Sequence, residues 1–277
     1  MLRSKSLRIA AVTAAVASLA LAGCSASSSA PESSEEASGL TLADVQEAGV
    51  LVVGTEGTYS PFSFHADGGT GELTGYDVDV ITAIAGELGV EVEFEETQWD
   101  AIFAGLDSGR WDVIANQVSI NPEREERYLF STPYTYSPGV LIVPTDSDIA
   151  SFDDLEGVTS AQSLTSNWAE VATESGATVE GVEGFAQAVE LLRTGRVDAT
   201  INDRLTFLDY ETAQGGDIGV EIVDETEDVS ESAVTFRQGS DDLVAAVDEA
   251  IATLTADGTL AEISERYFGE DVSVATA

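Results

Sequence analysis

TQWDAIFAGLDSGRWDVIANQVSINPER, residues 97–124, has a shorter echo in VELLRTGRVDATIN, residues 189–202. With Gly109 set against Gly195, residues Leu106, Gly109, Arg110, Asp112 and Asn116 fall opposite Leu192, Gly195, Arg196, Asp198 and Asn202. Each copy reads as the end of a helix, a Gly free to take positive φ, and a short apolar strand that finishes at a polar Asn. Two such units predict two α/β lobes of similar build. In open α/β sheets the ligand crevice lies beyond the carboxyl ends of the strands. The polar residues after each strand, Gln117 to Arg124 and Asp203, are therefore the first candidates for function.

Asn121-Pro122-Glu123-Arg124 combines an N-cap residue, Pro at the first helical position, an acid in the first turn and then Arg. A helix is expected to start there. Its free N–H groups and Arg124 together suit a carboxylate, which Arg binds with two parallel hydrogen bonds. The alternative is a capped surface helix whose Arg124 pairs with Glu123, Glu125 or Glu126.

The 277 residues are enough for one large domain or two ordinary ones. Net charge is −40, and beyond the first eight residues, which hold Arg3, Lys5 and Arg8, eight Arg stand against 51 acids. Such a field disfavours nucleic acid and anionic membrane surfaces, and suits a solvated surface in a salty exterior. No calcium loop is present in the sequence, and one Cys with one His cannot build a zinc site, so neither metal nor cofactor is expected. Residues 1–23 read as a targeting segment: basic residues, an Ala-rich apolar run, then Leu21-Ala22-Gly23-Cys24. That ending resembles the lipobox of bacterial lipoproteins, which implies a leader of residues 1–23 and acylation of Cys24. Residues 24–39 read as a flexible polar tether.

Along the folded part, Val50 to Thr55 reads as a buried strand opening into GTEGTYSPFSF, residues 54–64, where Tyr59 suits a pocket wall and Phe62 and Phe64 the core. GYDVDV leads into a helix with Val80, Ile81, Ile84, Ala85 and Leu88 on one face. His65 is expected in an exposed loop. Trp99 opens the next helix and faces either the core or the crevice. STPYTYSPG, residues 131–139, marks a crossing to the second lobe ahead of an apolar strand at Val140 to Val143. SLTSNWAE, residues 163–170, offers a helix start with Glu170 three residues after Asn167, resembling a capping box. Its free N–H groups face the same anion from the opposite wall. Asp203, at a strand's carboxyl end, suits an ammonium group, or else pairs with Arg204 or caps the next helix. From about Val229 the chain recrosses, because a last strand (Ala233 to Phe236) and a long helix with Leu243, Val247, Ile251 and Leu254 have no place in the second lobe. Carboxylate and ammonium sites on opposite walls describe an α-amino acid.

The stretches GTEGTYSPFSF, LTGYDVDV, WDAIFAGLDSGRWDVIANQVSINPER, FSTPYTYS, GRVDATINDR and ADGTLAEISERYFGEDV resemble the extracytoplasmic solute-binding proteins of polar amino acid ABC importers. QWDAIFAGLDSGRWDVIANQVSI, FSTPYT and INDRLTFLDY are most similar to the cystine-binding branch. The resemblance implies an α/β, two-lobed type II periplasmic-binding-protein fold, each lobe a doubly wound mixed sheet of order 2-1-3-n-4. It places lobe 1 at residues 40–136 and 232–277 and lobe 2 at 137–231. By position, it implies that Arg124 holds the α-carboxylate with the backbone of Ser119 and of the Ser166–Asn167 turn. Gln117 meets the amino group through its main chain, Asp203 pairs with that group, Tyr59 and Trp99 form aromatic walls, and Glu56 sets side-chain selectivity. The family usually has Gly-Thr before the second-lobe helix, and Thr165-Ser166 stands here instead. The resemblance further implies a monomer on the outer face of the membrane, held by its lipid, that closes on its ligand and delivers it to a permease without chemistry. Glutamine, glutamate, arginine or histidine are alternative ligands. A cyclohexadienyl dehydratase-like enzyme and a stand-alone sensor domain are alternative activities.

Overall fold

The computed structural model describes residues 39–275, so the leader, Cys24 and the tether up to residue 38 lie outside the described residues. Two five-stranded mixed sheets carry the fold. In the first, Val50–Thr55 runs parallel between Glu91–Glu96 and Val113–Ile114, followed by the antiparallel Thr235–Arg237 and then Tyr128–Phe130. In the second, the order is Thr178–Gly181, Thr159–Gln162, Ala199–Asp203, Thr135–Pro144, Val220–Ser232. Both sheets follow the order 2-1-3-n-4, and in each the antiparallel fourth place is filled by a strand reached through a crossing. The two crossing strands, Thr135–Pro144 and Val220–Ser232, pair with each other from Thr135↔Ser232 to Pro144↔Val220.

The repeated motif folds the same way twice. Gly109 and Gly195 take φ of 70° and 65°, and their N–H groups close the helix ends on Leu106 O and Leu192 O. One step on, Asp112 donates its N–H to Val52 O, and its carboxylate accepts from Val52 N at 2.9 Å. Asp198 does the same with Thr159, accepting from its N–H at 3.0 Å. Each Asp, standing just before the central strand of its sheet, therefore ties that strand to its parallel neighbour and sets their register.

Apolar periodicity sets the layers around each sheet. Helix Tyr76–Leu88 buries Val80, Ile81, Ile84, Ala85 and Leu88. It packs with helix Asp241–Ala256, whose Leu243, Val247, Ile251 and Leu254 share the same cluster. The second lobe has its own core around Val140, Ile142, Phe185 and Leu192. The helix expected after Asn121 starts there and is a single turn, Pro122–Glu125, because the chain is drawn into strand pairing at Tyr128–Phe130. Three expectations need correction. The strand expected from Val140 already begins at Thr135, where pairing to Ser232 carries it across between the lobes. The last strand is Thr235–Arg237. His65 ends the hairpin strand Ser63–His65 and is half-buried, with Nε2 2.9 Å from Glu96 Oε2 and Nδ1 2.9 Å from Gly71 O.

Candidate functional site

The carboxyl ends of the two sheets face one another across a closed cleft. Tyr59 OH donates to Asn202 Oδ1 at 3.2 Å and accepts from Thr206 Oγ1 at 3.1 Å. Ser60 Oγ donates to Asp209 at 2.8 Å, and Thr165 gives both its N–H (3.2 Å) and its hydroxyl (2.7 Å) to Asp100 Oδ1. Between these contacts lies a cavity of about 60 Å³ lined by Glu56, Tyr59, Trp99, Gln117, Ser166 and Asn167, with Gln162, Phe185 and Asn202 among the other lining residues. Six of the nine expected site residues thus share one cavity. Arg124 and Ser119 line larger openings beside it, of about 710 and 770 Å³, and Asp203 does not line the central cavity.

The cationic end is built from lobe 1. Asn121 caps the single turn, its Oδ1 accepting from Arg124 N at 2.9 Å. This sends the Arg124 side chain back under Trp99 and Phe103, with the guanidinium carbon 5.4 and 5.3 Å from the ring centroids. Arg124 is only 8% exposed; Nη1 donates to Ser119 O at 2.8 Å and Nη2 reaches Thr165 O of the opposite lobe at 3.3 Å. Among the described residues no carboxylate lies within ion-pair distance of it. Burial pulls its pKa down to about 10. The surface pairing with Glu123, Glu125 or Glu126 is therefore not formed. Ser119 Oγ meanwhile accepts from Ser230 Oγ of the returning strand at 2.8 Å. In the second lobe the helix start is one residue earlier than the Asn167–Glu170 spacing suggests. Ser166 is the N-cap, extended at φ −78° and ψ 152°, its Oγ accepting from Ala169 N at 3.1 Å, and Asn167 is already helical.

The opposite end is acidic. Asp203 is 5% exposed and caps helix Arg204–Ala213, its Oδ1 accepting from Leu205 N at 2.8 Å and from Ser137 Oγ at 2.9 Å. Capping is thus realised, while Arg204 turns to Glu225. Burial raises the Asp203 pKa to about 6. Glu56 is half-buried, takes a hydrogen bond from Asn116 Nδ2 at 2.7 Å, and is pushed up to about 7 by burial. A third carboxylate escaped the sequence reading. Asp77, 1% exposed, accepts from Gln117 N at 2.8 Å and from Gln117 Nε2 at 2.6 Å, and burial raises it to about 7. Its signal was present: Asp77 occupies the apolar face of its helix, three and four residues before Val80 and Ile81. An acid at a core position needs a buried partner. Trp99 resolves toward both alternatives, 8% exposed yet lining the cavity, with Nε1 unpartnered. Asn116 and Asn202, the last identity of the repeat, hold the rim: Asn116 Oδ1 accepts from Thr55, Glu56 and Ser63, and Asn202 meets Tyr59.

Residues 51–270 match the family described as bacterial extracellular solute-binding proteins, family 3. The chain is 49% identical over 255 residues to the L-cystine-binding protein TcyA of Bacillus subtilis strain 168, covering 92% of this chain and 94% of that one. Among solved structures it is similar to the L-cystine solute receptor of Neisseria gonorrhoeae in its unliganded open conformation. That similarity has 45% identity, covers 85% of this chain and 100% of that one, and gives a TM-score of 0.58. An ancestral arginine-binding protein bound to arginine is less identical, at 35% over 80% of this chain and 99% of its own, yet superposes better, with a TM-score of 0.74. Closer sequence with poorer superposition on an open form accords with the contacts that bridge the cleft here. With two sheets of one topology, a cleft between them and a family match over most of its length, the chain belongs to the bacterial extracellular solute-binding proteins, family 3.

Proposed function

We propose that this protein captures L-cystine by closing two lobes, 40–136 with 232–277 and 137–231, about the paired strands Thr135–Pro144 and Val220–Ser232. It delivers the ligand, chemically unchanged, to the permease of an ABC importer while anchored to the membrane by acyl chains on Cys24. The observation that carries the ligand class is charge placement. A buried guanidinium with no carboxylate partner, Arg124, and two buried carboxylates, Asp77 and Asp203, with the half-buried Glu56, none of them paired to a cation among the described residues, stand around one closed cleft. Buried charges are retained where something pairs with them, and the α-carboxylate and ammonium of an amino acid supply both partners. Arg124 takes the carboxylate, helped by the Ser119 backbone and the Ser166–Asn167 turn. Asp203 and Gln117 take the ammonium, and Tyr59 and Trp99 wall the cavity. Glu56 meets the second ammonium that distinguishes cystine from glutamine or glutamate. The names of the cystine-binding relatives support that choice over arginine and histidine.

Closure gives the permease a shape to read, because only the closed form lets both lobes touch the ligand. Calorimetric titration of the chain from residue 25 onward against cystine, glutamine, glutamate, arginine and histidine tests the reading. One-to-one binding of cystine in the micromolar range, worth about 8 kcal/mol, is the expected result. Tight binding of a different amino acid would replace cystine as the ligand, and no binding across the panel would overturn the assignment.

A further inference from the structure

The central cavity shares Ser166 and Asn167 with the larger opening that Arg124 lines. It also shares Glu56, Tyr59, Gly184 and Phe185 with a further cavity of about 100 Å³ that Arg124 does not line. Helix Phe185–Arg193 begins at that second junction, where Phe185 is held in the second-lobe core, edge-on to Tyr210 with ring centroids 5.4 Å apart. Its N-cap, Gly184, has no side chain to turn back on the helix, and Gln187 Oε1 in the first turn accepts from Glu183 N at 3.1 Å. The N–H groups of Gly184, Phe185 and Ala186 therefore have no hydrogen-bond partner among the described residues. A Cβ at Gly184 would meet no atom within 4 Å, so the helix start stands open. Gln162 closes the strand Thr159–Gln162 beside it, its carbonyl accepting from Val182 N at 2.9 Å. The residue is 3% exposed, and its Nε2 donates to Ser160 Oγ at 2.9 Å. Its Oε1 accepts no hydrogen bond from the described residues and is not sealed in protein, so the central cavity that Gln162 lines is the space it reaches. Free helix N–H groups suit an anion, and an unpartnered amide oxygen suits a donor.

Resting on the cystine reading above, we propose that the start of helix Phe185–Arg193 receives the second carboxylate of L-cystine through the N–H groups of Gly184, Phe185 and Ala186, with the Gln162 amide beside it taking the ammonium of the same end. The cleft then selects ligands with an α-amino acid group at each end. Glutamine, arginine and histidine bring no second carboxylate to this helix start. Arg124 holds one carboxylate from the first lobe and this helix holds the other from the second, so a two-ended ligand ties the lobes together. Gly at the N-cap leaves the cap to the ligand, where Ser, Asp or Asn would supply it from the chain itself.

Gly184→Asp puts a carboxylate on the N-cap, where it accepts from the helix's own N–H groups. Ala186→Pro deletes one N–H at an exposed first-turn position that tolerates Pro. The chain from residue 25 onward keeps every described residue and has no Cys, so no protein thiol exchanges with a disulfide ligand. This chain and its variants are titrated with L-cystine and with the mixed disulfide of L-cysteine and cysteamine, which keeps both ammonium groups and lacks one carboxylate. Wild type is expected to prefer cystine at least about 10-fold. That preference is expected to vanish in Gly184→Asp and to fall about 3- to 10-fold in Ala186→Pro. Gln162→Met reads the ammonium in the same way, against the mixed disulfide of cysteine and 3-mercaptopropionic acid, with the preference for cystine again falling about 3- to 10-fold. If one helix-start variant does not fold, the other decides, and the wild-type comparison needs neither. Equal wild-type affinity for cystine and the cysteamine disulfide, or an undiminished preference in the variants, overturns the proposal and leaves the cystine reading standing. A wild type that binds another amino acid and not cystine overturns both.

Discussion

Burial pulls the Arg124 guanidinium down to a pKa of about 10, still charged at neutral pH, under two aromatic rings and with two backbone carbonyls as its partners. A cation kept dry in this way is costly to the empty protein and valuable only when a carboxylate arrives. Arg124→Met separates the two effects. The lost hydrogen bonds to Ser119 O and Thr165 O are offset by relief of the desolvation cost, so unfolding free energy is expected to stay within about 1 kcal/mol of wild type. Amino acid affinity is expected to fall at least about 100-fold. Thermal melting and calorimetric titration of the same sample read both quantities. Retained affinity would remove Arg124 from the site, and a collapse of the fold would make it a structural residue.

At the scale of elements, the repeat was legible because its Gly and Asp identities answer backbone needs and its Leu identity fills a core position. The two Gly residues close helices in the left-handed region, and the two Asp residues each receive an N–H of the neighbouring strand. The apolar faces of helices Tyr76–Leu88, Phe185–Arg193 and Asp241–Ala256 were legible for the same local reason. What depends on long-range pairing was not. The partners of Asp77 and Tyr59 lie 40 and 143 residues away, and the single turn at Pro122–Glu125 is cut short by a strand that returns from residue 235. Thr165 is the instructive case, because the resemblance marked it as a departure from the usual Gly without giving it a task. Its hydroxyl and N–H both reach Asp100 across the cleft, so the side chain adds a bond to the closed form that Gly lacks. Thr165→Gly is expected to raise the ligand off-rate about 5-fold, equivalent to about 1 kcal/mol, with the on-rate little changed. Stopped-flow tryptophan fluorescence checks this, and an equal fall in the on-rate instead would show that the Asp100 contact forms before the lobes have closed.

For the molecule as a whole, the net charge of −40 and the three carboxylates of the cleft with raised pKa values answer differently to salt and to pH. Repulsion among the exposed acids acts through solvent and is screened by salt. Asp203, Glu56 and Asp77 have folded-state pKa values raised to about 6, 7 and 7, above their unfolded values near 4. The folded state therefore binds more protons than the unfolded one across that interval, and stability falls as pH rises through it. His65, raised by its bond to Glu96, adds a slope of the same sign at and above its ordinary pKa, so a His65→Gln background isolates the carboxylates. Unliganded protein is expected to lose on the order of 5 °C in Tm between pH 5 and pH 8. Added salt should raise the whole curve without flattening it, because buried groups are little screened. A ligand ammonium favours the ionised carboxylates, so the Tm gain from saturating cystine should grow across the same window and its binding should release protons near pH 6. Differential scanning calorimetry at several pH values and two salt concentrations, with and without cystine, reads every part of this. An unliganded curve that salt flattens would assign the slope to the surface, and a flat one would leave the cleft carboxylates ionised in the empty protein.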